Sequence, residues 1–158
     1  MKLRHLPLRL GAGAYILSSG LDKLSASDDA AASYHGMASN AYPVFKNVDP
    51  KTFTTVLAGS EVALGASLLV PVLPKTVVAA GFTAFSAGLV GLYLRTPALH
   101  RGPGDYRPNP DGIGIAKDVI MLGAAATYLL DALGSNAKKA GKKAGKKASK
   151  KAAQVLHR

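Results

Sequence analysis

Four charged side chains stand inside or at the ends of strongly apolar stretches of this sequence. Glu61 lies in the middle of Thr52–Val70. Lys23 lies near the end of an earlier apolar stretch, and Lys117 and Asp118 lie near the start of a later one. A charge at the centre of a membrane helix costs roughly 2.5–3.5 kcal/mol, so it faces protein or a cavity rather than lipid. We therefore predict that these four side chains line a small polar cavity.

Two uses of such charges stay open. A cavity of this kind could hold a quinone head group, a small anion or a proton path. Alternatively, the charges form a structural ion-pair network that fixes the register of the helices. Glu61 lies about 15 Å along its helix from the end at which the second span begins. The fourth span begins on the same side, and the long side chain of Lys117 covers part of that distance. Further charged residues at the same predicted depth are Arg9, Asp22 and Asp131.

Four apolar helices must position these side chains. A helix that crosses a bilayer needs about 20 mostly apolar residues, and four stretches of nearly that length occur within residues 1–136. The sequence predicts an all-α fold, a four-helix transmembrane bundle. Ser25 and Asp28 indicate the N-terminus of a short surface helix, Asp28–Ala38. The Pro- and Gly-rich Arg95–Gly112 predicts an ordered loop. The predicted spans are 6–24, 52–70, 75–94 and 113–133.

Small residues recur at helical spacing in three of the spans. Such stripes allow close helix packing in lipid, where apolar burial gives no driving force between helices. The short connection Pro71–Pro74 predicts that the second and third spans pack as an antiparallel hairpin. The residues predicted to pack are Gly13 and Gly20 in the first span, Gly59, Ala63 and Ser67 in the second, and Ala80, Ala84 and Gly88 in the third.

The segment 137–158 differs from the rest in composition. It carries nine of the eleven net positive charges and no acid, in a four-residue KKAG-type repeat. We predict a helix stop at Gly134–Asn136 and a disordered tail beyond it. Three partners stay open for this tail: anionic lipid, nucleic acid or an acidic protein. Its lysines are Lys138, Lys139, Lys142, Lys143, Lys146, Lys147, Lys150 and Lys151.

Charge also predicts the topology. Cytoplasmic loops of membrane proteins carry an excess of Lys and Arg. Both ends of the chain are basic, and Lys75 lies on the connection between the second and third spans. We predict a multi-pass protein of the cell inner (plasma) membrane with both termini in the cytoplasm. The three arginines of Arg95–Gly112 fit this assignment less well.

Several kinds of chemistry are excluded or disfavoured. The chain has no cysteine, so it supplies no disulfide, thiolate nucleophile or Cys-ligated metal. Its four histidines are far apart and none lies inside a predicted span, which argues against a metal or haem site. No intrinsic cofactor is predicted, and a quinone is one of the groups that the polar cavity could hold. The histidines are His5, His35, His100 and His157.

Three of the spans resemble those of DoxX-like membrane proteins. The first is RLGAGAYILSSGLDKL, with its arginine, glycines and terminal lysine. The second, LAGSEVALGASLLVP, has a central Glu followed four residues later by Gly, and the fourth contains AKDVIMLGAA. The strings HGM, VFK and LYLRTP are similar to those of an actinobacterial branch of that family. The resemblance covers about residues 5–133 and omits the tail.

The resemblance implies a four-helix integral membrane protein. Some DoxX-type proteins are subunits of thiosulfate:quinone oxidoreductase, and others belong to membrane complexes that resist oxidative stress. The leading expectation is therefore an accessory subunit of an electron-transfer or redox-stress complex of the respiratory membrane, within a larger membrane protein assembly. One alternative is a catalytic subunit that contacts quinone directly. A third, non-enzymatic alternative is a membrane tether that acts through the basic tail.

Overall fold

The computed structural model describes residues 3–156, without the side chains at 139, 147, 148 and 150–156. The all-α prediction is confirmed for this part of the chain, where a short β-hairpin is the exception. Single 3₁₀ turns occur at Leu3–His5, Pro43–Phe45 and Pro97–Leu99. The elements are α1 (Leu6–Leu24), α2 (Asp28–Ala41), α3 (Pro50–Leu69), α4 (Lys75–Leu94), β1 (His100–Gly102), β2 (Asp105–Pro108), α5 (Ile113–Ala116) and α6 (Asp118–Leu156).

Side-chain caps set two of the helix starts. Asp49 accepts a hydrogen bond of 2.8 Å from the backbone N–H of Thr52, and Pro50 occupies the first turn of α3, where its missing N–H costs nothing. The cap of α2 is Ser27, which accepts from the N–H of Ala30 at 3.3 Å. The sequence-based choice of Ser25 was two residues early, because either serine precedes the acidic first turn.

The helices pair in a different order from the predicted one. α1 packs antiparallel along α3, and α4 packs along α6, whereas α3 and α4 contact each other little. A Cβ atom on Gly65 would lie only 2.5 Å from the backbone nitrogen of Leu17. This glycine lets α1 approach α3 so closely that α1 covers the face where α4 was expected. The predicted tight hairpin of the second and third spans was therefore wrong.

The small-residue stripes divide into those that pack and those that do not. Gly13 and Gly20 do pack: a Cβ atom on either would lie 3.0 Å or less from atoms of α3. Gly59 and Ala63 face outward, and a Cβ on Gly59 would meet nothing within 4 Å. Each is two residues from the buried Glu61, and two residues correspond to about 200° around a helix. Gly59 and Ala63 therefore lie on the side of α3 opposite Glu61, and the side that carries Glu61 faces the other helices.

Two further stripe predictions were wrong for the same reason. Ser67, at the end of the second stripe, is only half-buried, and the contact face of α3 carries Ala58 and Gly65 instead. Ala80 and Ala84 are exposed on α4, and Gly88 has no neighbour within 4 Å of a Cβ atom. The packed face of α4 carries other residues, both large and small. They are Val78, Ala79, Phe82, Ser86 and Tyr93.

Three helical segments are long and apolar enough to cross a membrane. They are α3, α4 and residues 113–146 of α5 and α6, with mean hydropathy of 1.3, 1.8 and 1.6 over the best windows. α1 is of similar length but contains Arg9, Asp22 and Lys23, and it is not among the three. Between α4 and α5, β1 and β2 pair antiparallel around Pro103–Gly104, where Gly104 supplies the positive φ of 77° that the turn requires.

The basic segment continues the last helix. α6 runs through Gly134–Asn136 without a break, so both the predicted helix stop and the predicted disordered tail were wrong. Alanine and lysine are strong helix formers, and two glycines in the repeat do not outweigh them. The predicted domain boundary at 136 thus falls inside a helix. Lys138, Lys142, Lys143 and Lys146 are exposed, whereas the side chains of Lys139, Lys147, Lys150 and Lys151 lie outside the described residues.

Candidate functional site

A cavity of about 500 Å³ lies between α1, α2, α3, α4 and the start of α6. This volume is within the usual range of small-molecule and cofactor sites. The cavity, called the polar cavity below, has charged groups at one end and apolar side chains over most of its wall. Its polar and charged lining residues include Ser19, Lys23, Tyr34, Glu61 and Asp118.

Lys23 and Glu61 form a buried ion pair in this cavity. The Nζ of Lys23 donates to Oε2 of Glu61 at 2.9 Å and to Oγ of Ser19 at 2.6 Å. The side chains of Lys23 and Glu61 are only 14% and 4% exposed. The Lys23 ammonium also lies 5.4 Å from the centroid of the Tyr34 ring, within cation–π range. The i, i+4 spacing of Ser19 and Lys23 on α1 places both polar groups against the middle of α3.

Asp118 completes the charged end. It lies at the first position of α6, is half-buried, and lines the same cavity as Lys23 and Glu61. Its carboxylate makes no hydrogen bond or ion pair with any residue that the structure describes. Two carboxylates and one ammonium group therefore line the cavity, and in the described part of the chain the ammonium pairs with Glu61. The arrangement leaves an acceptor directed to whatever occupies the space.

The fourth predicted residue lies elsewhere. Lys117 is exposed and does not line the polar cavity. The predicted contact with Glu61 is therefore absent from the described part of the structure, and Lys23 takes that place. Successive residues of a helix point about 100° apart, and Lys117 lines a neighbouring cavity together with Asp118 instead.

The apolar wall was missed by the sequence-based reasoning. Part of it comes from α2 and the turn after it, a region predicted to be a short surface helix followed by a loop. The aromatic content of 34–53 was the available signal, since three rings there contact one another. Phe45 and Phe53 lie 5.2 Å apart, and Phe53 lies 5.6 Å from His35. The apolar lining includes Met37, Phe45, Phe53, Leu57, Phe85, Leu89, Leu92, Ile115 and Met121.

The opposite end of the helices carries a second charged cluster, centred on Asp131. Asp131 accepts from Lys75 at 2.5 Å, lies 3.0 Å from Nε2 of His5 and pairs with Arg4. Lys75 also lies 5.3 Å from the centroid of the Tyr128 ring. Several cationic groups thus surround one carboxylate where the chain enters α1.

Arg9 serves a separate purpose beside this cluster. It is 5% exposed, and its guanidinium donates to the carbonyls of Leu68 at 2.5 Å and Ser67 at 3.0 Å. These carbonyls belong to the last turn of α3, where no intrahelical donor is available. Arg9 therefore caps α3 from α1. Asp22, the remaining charged residue at predicted membrane depth, is exposed.

The loop after α4 is held by its own charged and aromatic contacts. Arg107 donates to Asp105 through Nη2 at 2.7 Å, and this pairing lowers the pKa of Asp105 to about 2. Nε2 of His100 donates to the Tyr93 carbonyl at 3.0 Å. The Tyr93 hydroxyl donates to the Tyr106 carbonyl at 2.6 Å. The prediction of an ordered loop is confirmed.

Comparison with known proteins gives no match. No protein-family model, no curated protein and no solved structure matches the chain. The function is therefore inferred from the geometry of the polar cavity.

Proposed function

We propose that this chain is an integral membrane subunit of an electron-transfer or redox-stress complex and that it binds a quinone in the polar cavity. The observation that carries the proposal is the two-part lining of that cavity. Lys23, Glu61 and Asp118 stand at one end, and aromatic and aliphatic side chains cover the remainder. A quinone that cycles with its quinol has the matching form. The quinone carbonyls accept from the Lys23 ammonium, the quinol hydroxyls donate to the carboxylates, and the ring faces are apolar.

The outer surface supports membrane insertion. Large apolar side chains are exposed on every long helix, and a soluble monomer rarely exposes so many. Examples are Val56 on α3, Val77 on α4 and Ile120 on α6, which are 67%, 59% and 73% exposed. α1 contacts α3 from Arg9 to Lys23, an axial distance of about 21 Å. A helix that follows α3 over this length belongs to the same layer, so we propose α1 as a fourth span.

Charge supports the proposed orientation. The Asp131 cluster and the basic extension of α6 lie at one end of the helices, and the polar cavity lies towards the other. With the positive-inside rule, the termini are cytoplasmic and the cavity opens towards the outer side. The sequence resemblance to DoxX-like proteins fits this arrangement, since Lys23, Glu61 and Asp118 all lie in the three resembling spans. That resemblance is the basis for proposing a redox complex.

A binding experiment tests the cavity. The chain has no tryptophan, so tyrosine emission can be followed in detergent while a short-chain naphthoquinone is added. Tyr15, Tyr34 and Tyr42 line the cavity, so a bound ring should quench them. Ala84→Phe should fill the cavity and abolish saturable quenching. Ala80→Phe is the matched control, one turn away on the same exposed face and outside the cavity. Equal quenching in both variants would refute the quinone site.

Glu61→Gln separates a binding cavity from a purely structural ion pair. If the charges serve the cavity, the variant assembles normally in the membrane and loses quinone binding. If they serve only to fix helix register, assembly itself fails. The role as a subunit has its own test. After gentle solubilisation, the chain should co-purify with larger redox proteins and show no quinone-dependent turnover alone; turnover by the isolated chain with an added donor would make it a catalytic subunit instead.

The basic extension of α6 favours a second candidate function, a membrane tether. From residue 134 to 156 the helix extends by about 33 Å. The exposed lysines on it give a strong positive field. Removal of residues 137–158 should leave quinone binding intact and abolish the salt-sensitive binding of the reconstituted chain to duplex DNA. If the full chain binds anionic vesicles but not DNA, the tether acts on lipid; if it binds neither, this function is refuted.

A further inference from the structure

A second cavity, of about 570 Å³, lies beside the first, between α1 and α6. It is called the lateral groove below. Gly11 and Ala12 form its wall on α1, and Ile120 and Ala124 form its wall on α6. Phe82 of α4 closes its floor and is fully buried. The glycine and the two alanines leave space between α1 and α6, and these two helices contact each other little.

The lateral groove is continuous with the polar cavity. Tyr15, Gly114, Asp118 and Met121 line both. Asp118 therefore stands at the junction, with its carboxylate at the charged end of the polar cavity. The rest of the groove runs away from that junction along the first half of α1. Its walls are almost entirely apolar beyond Lys117 and Asp118.

The groove is open on the surface of the helix bundle. Ile120 is 73% exposed at its edge, and a Cβ atom on Gly11 would meet nothing within 4 Å. In the proposed membrane orientation this side faces acyl chains, which supply no hydrogen bonds and no charge. A linear apolar chain is thus the occupant that matches both the groove walls and the surrounding lipid.

We propose that the ligand of the polar cavity carries a linear apolar chain and that this chain lies in the lateral groove between α1 and α6. The inference rests on the proposed function, and it narrows the ligand class from any quinone-like ring to a lipid-borne prenylated one. The ring lies against Lys23, Glu61 and Asp118, and the chain leaves past Gly11 into the bilayer. The groove is then also the route by which the ligand enters from the side.

The test compares two naphthoquinones, one with a single prenyl unit and one with a long prenyl chain. Gly11→Leu should weaken binding of the long-chain compound by about tenfold, as overfilling of a packed contact does, and should leave the short-chain compound unchanged. Ala124→Phe, from the opposite wall, should do the same. Gly59→Leu is the matched control, because that glycine is also exposed with nothing within 4 Å and lies outside both cavities.

The outcomes distinguish this inference from the proposed function. If Gly11→Leu weakens both compounds equally or neither, the chain does not lie in the groove, although short-chain binding keeps the quinone site. If native protein binds neither compound, the quinone site is refuted and the inference with it. If Gly59→Leu reproduces the loss, the effect comes from the detergent phase rather than from the groove, and the inference is overturned.

Discussion

Removal of the Lys23 ammonium should destabilise the protein far more than removal of an exposed one. Lys23→Met leaves the Glu61 carboxylate, 4% exposed, without its cation and without the 2.9 Å hydrogen bond. Loss of one partner of a buried pair costs about 3–5 kcal/mol, because the remaining charge stays out of water. For a chain of this length we expect the melting temperature to fall by roughly 6–20 °C.

The structure provides a matched control. Lys51 pairs with Asp28 at 3.3 Å, but the two side chains are 76% and 86% exposed. Such surface pairs contribute at most about 1 kcal/mol, so Lys51→Met should hardly change the melting temperature. Both variants are measured by thermal unfolding in the same mild detergent, followed by far-ultraviolet circular dichroism.

A double variant tests the cause. Lys23→Met combined with Glu61→Leu removes both charges and replaces them with apolar side chains of similar size. Such replacements are often neutral or stabilising, so the double variant should recover most of the loss. If Lys23→Met is no more destabilising than Lys51→Met, the buried pair does not contribute to the stability of the fold. If the double variant melts as low as the single one, packing rather than charge explains the loss.

Three further predictions follow from the geometry. Gly65→Ala should lower the free energy of unfolding, measured with denaturant, by about 1–3 kcal/mol because its Cβ meets the backbone of α1. Gly59→Ala should raise it by up to about 1 kcal/mol. Equal effects would refute the close contact. Arg9→Lys should lower the free energy of unfolding by about 1.5–3 kcal/mol, because a lysine ammonium lacks the planar fork whose Nε and Nη2 reach the two helix-end carbonyls. An unchanged unfolding midpoint would refute the cap. The contribution of the Asp105–Arg107 pair to loop stability should persist above pH 3.8 and disappear as the pH falls towards about 2, because the pKa of Asp105 is lower in the folded state than in the unfolded state. NMR titration of the Asp105 carboxyl measures this pKa. A midpoint near 3.8 would contradict the prediction.

The sequence predicted the bounds of the helices better than it predicted which helices pack together. Apolar length and composition gave the bounds of α3 and α4 to within a few residues, because a membrane-crossing helix is recognised from its own residues. The partner of each helix depends on which of its faces allows the closest approach of another helix. On α3 this is the face of Gly65, not the face of Gly59 and Ala63. Both glycines have the same local signature, so spacing alone could not choose between them.

The candidate site was predicted in the same partial way. Glu61 and Asp118 were identified because a charge in an apolar stretch must face inward. Lys23 and Lys117 were predicted by the same argument, and Lys23 lines the cavity whereas Lys117 does not. The contribution of α2 could not be predicted from periodicity, since its weakly amphipathic sequence resembles an ordinary surface helix. Its Tyr34 enters the site only because the chain folds back over the end of α3.

The two ends of α6 treat their aspartates differently, and this contrast favours a binding role for the polar cavity. Asp131 is surrounded by Arg4, His5 and Lys75. Asp118, about 20 Å away along the same helix, has no ion-pair partner among the described residues, although Lys117 is adjacent in sequence. A network that served only to fix helix register would pair every carboxylate for which a cation is available, because an unpaired one costs stability. The fold pairs Asp131, whereas the exposed Lys117 forms no ion pair with Asp118 in the described part of the chain. A carboxylate left without an ion pair at the junction of two connected cavities can accept a hydrogen bond from the hydroxyl of a bound quinol.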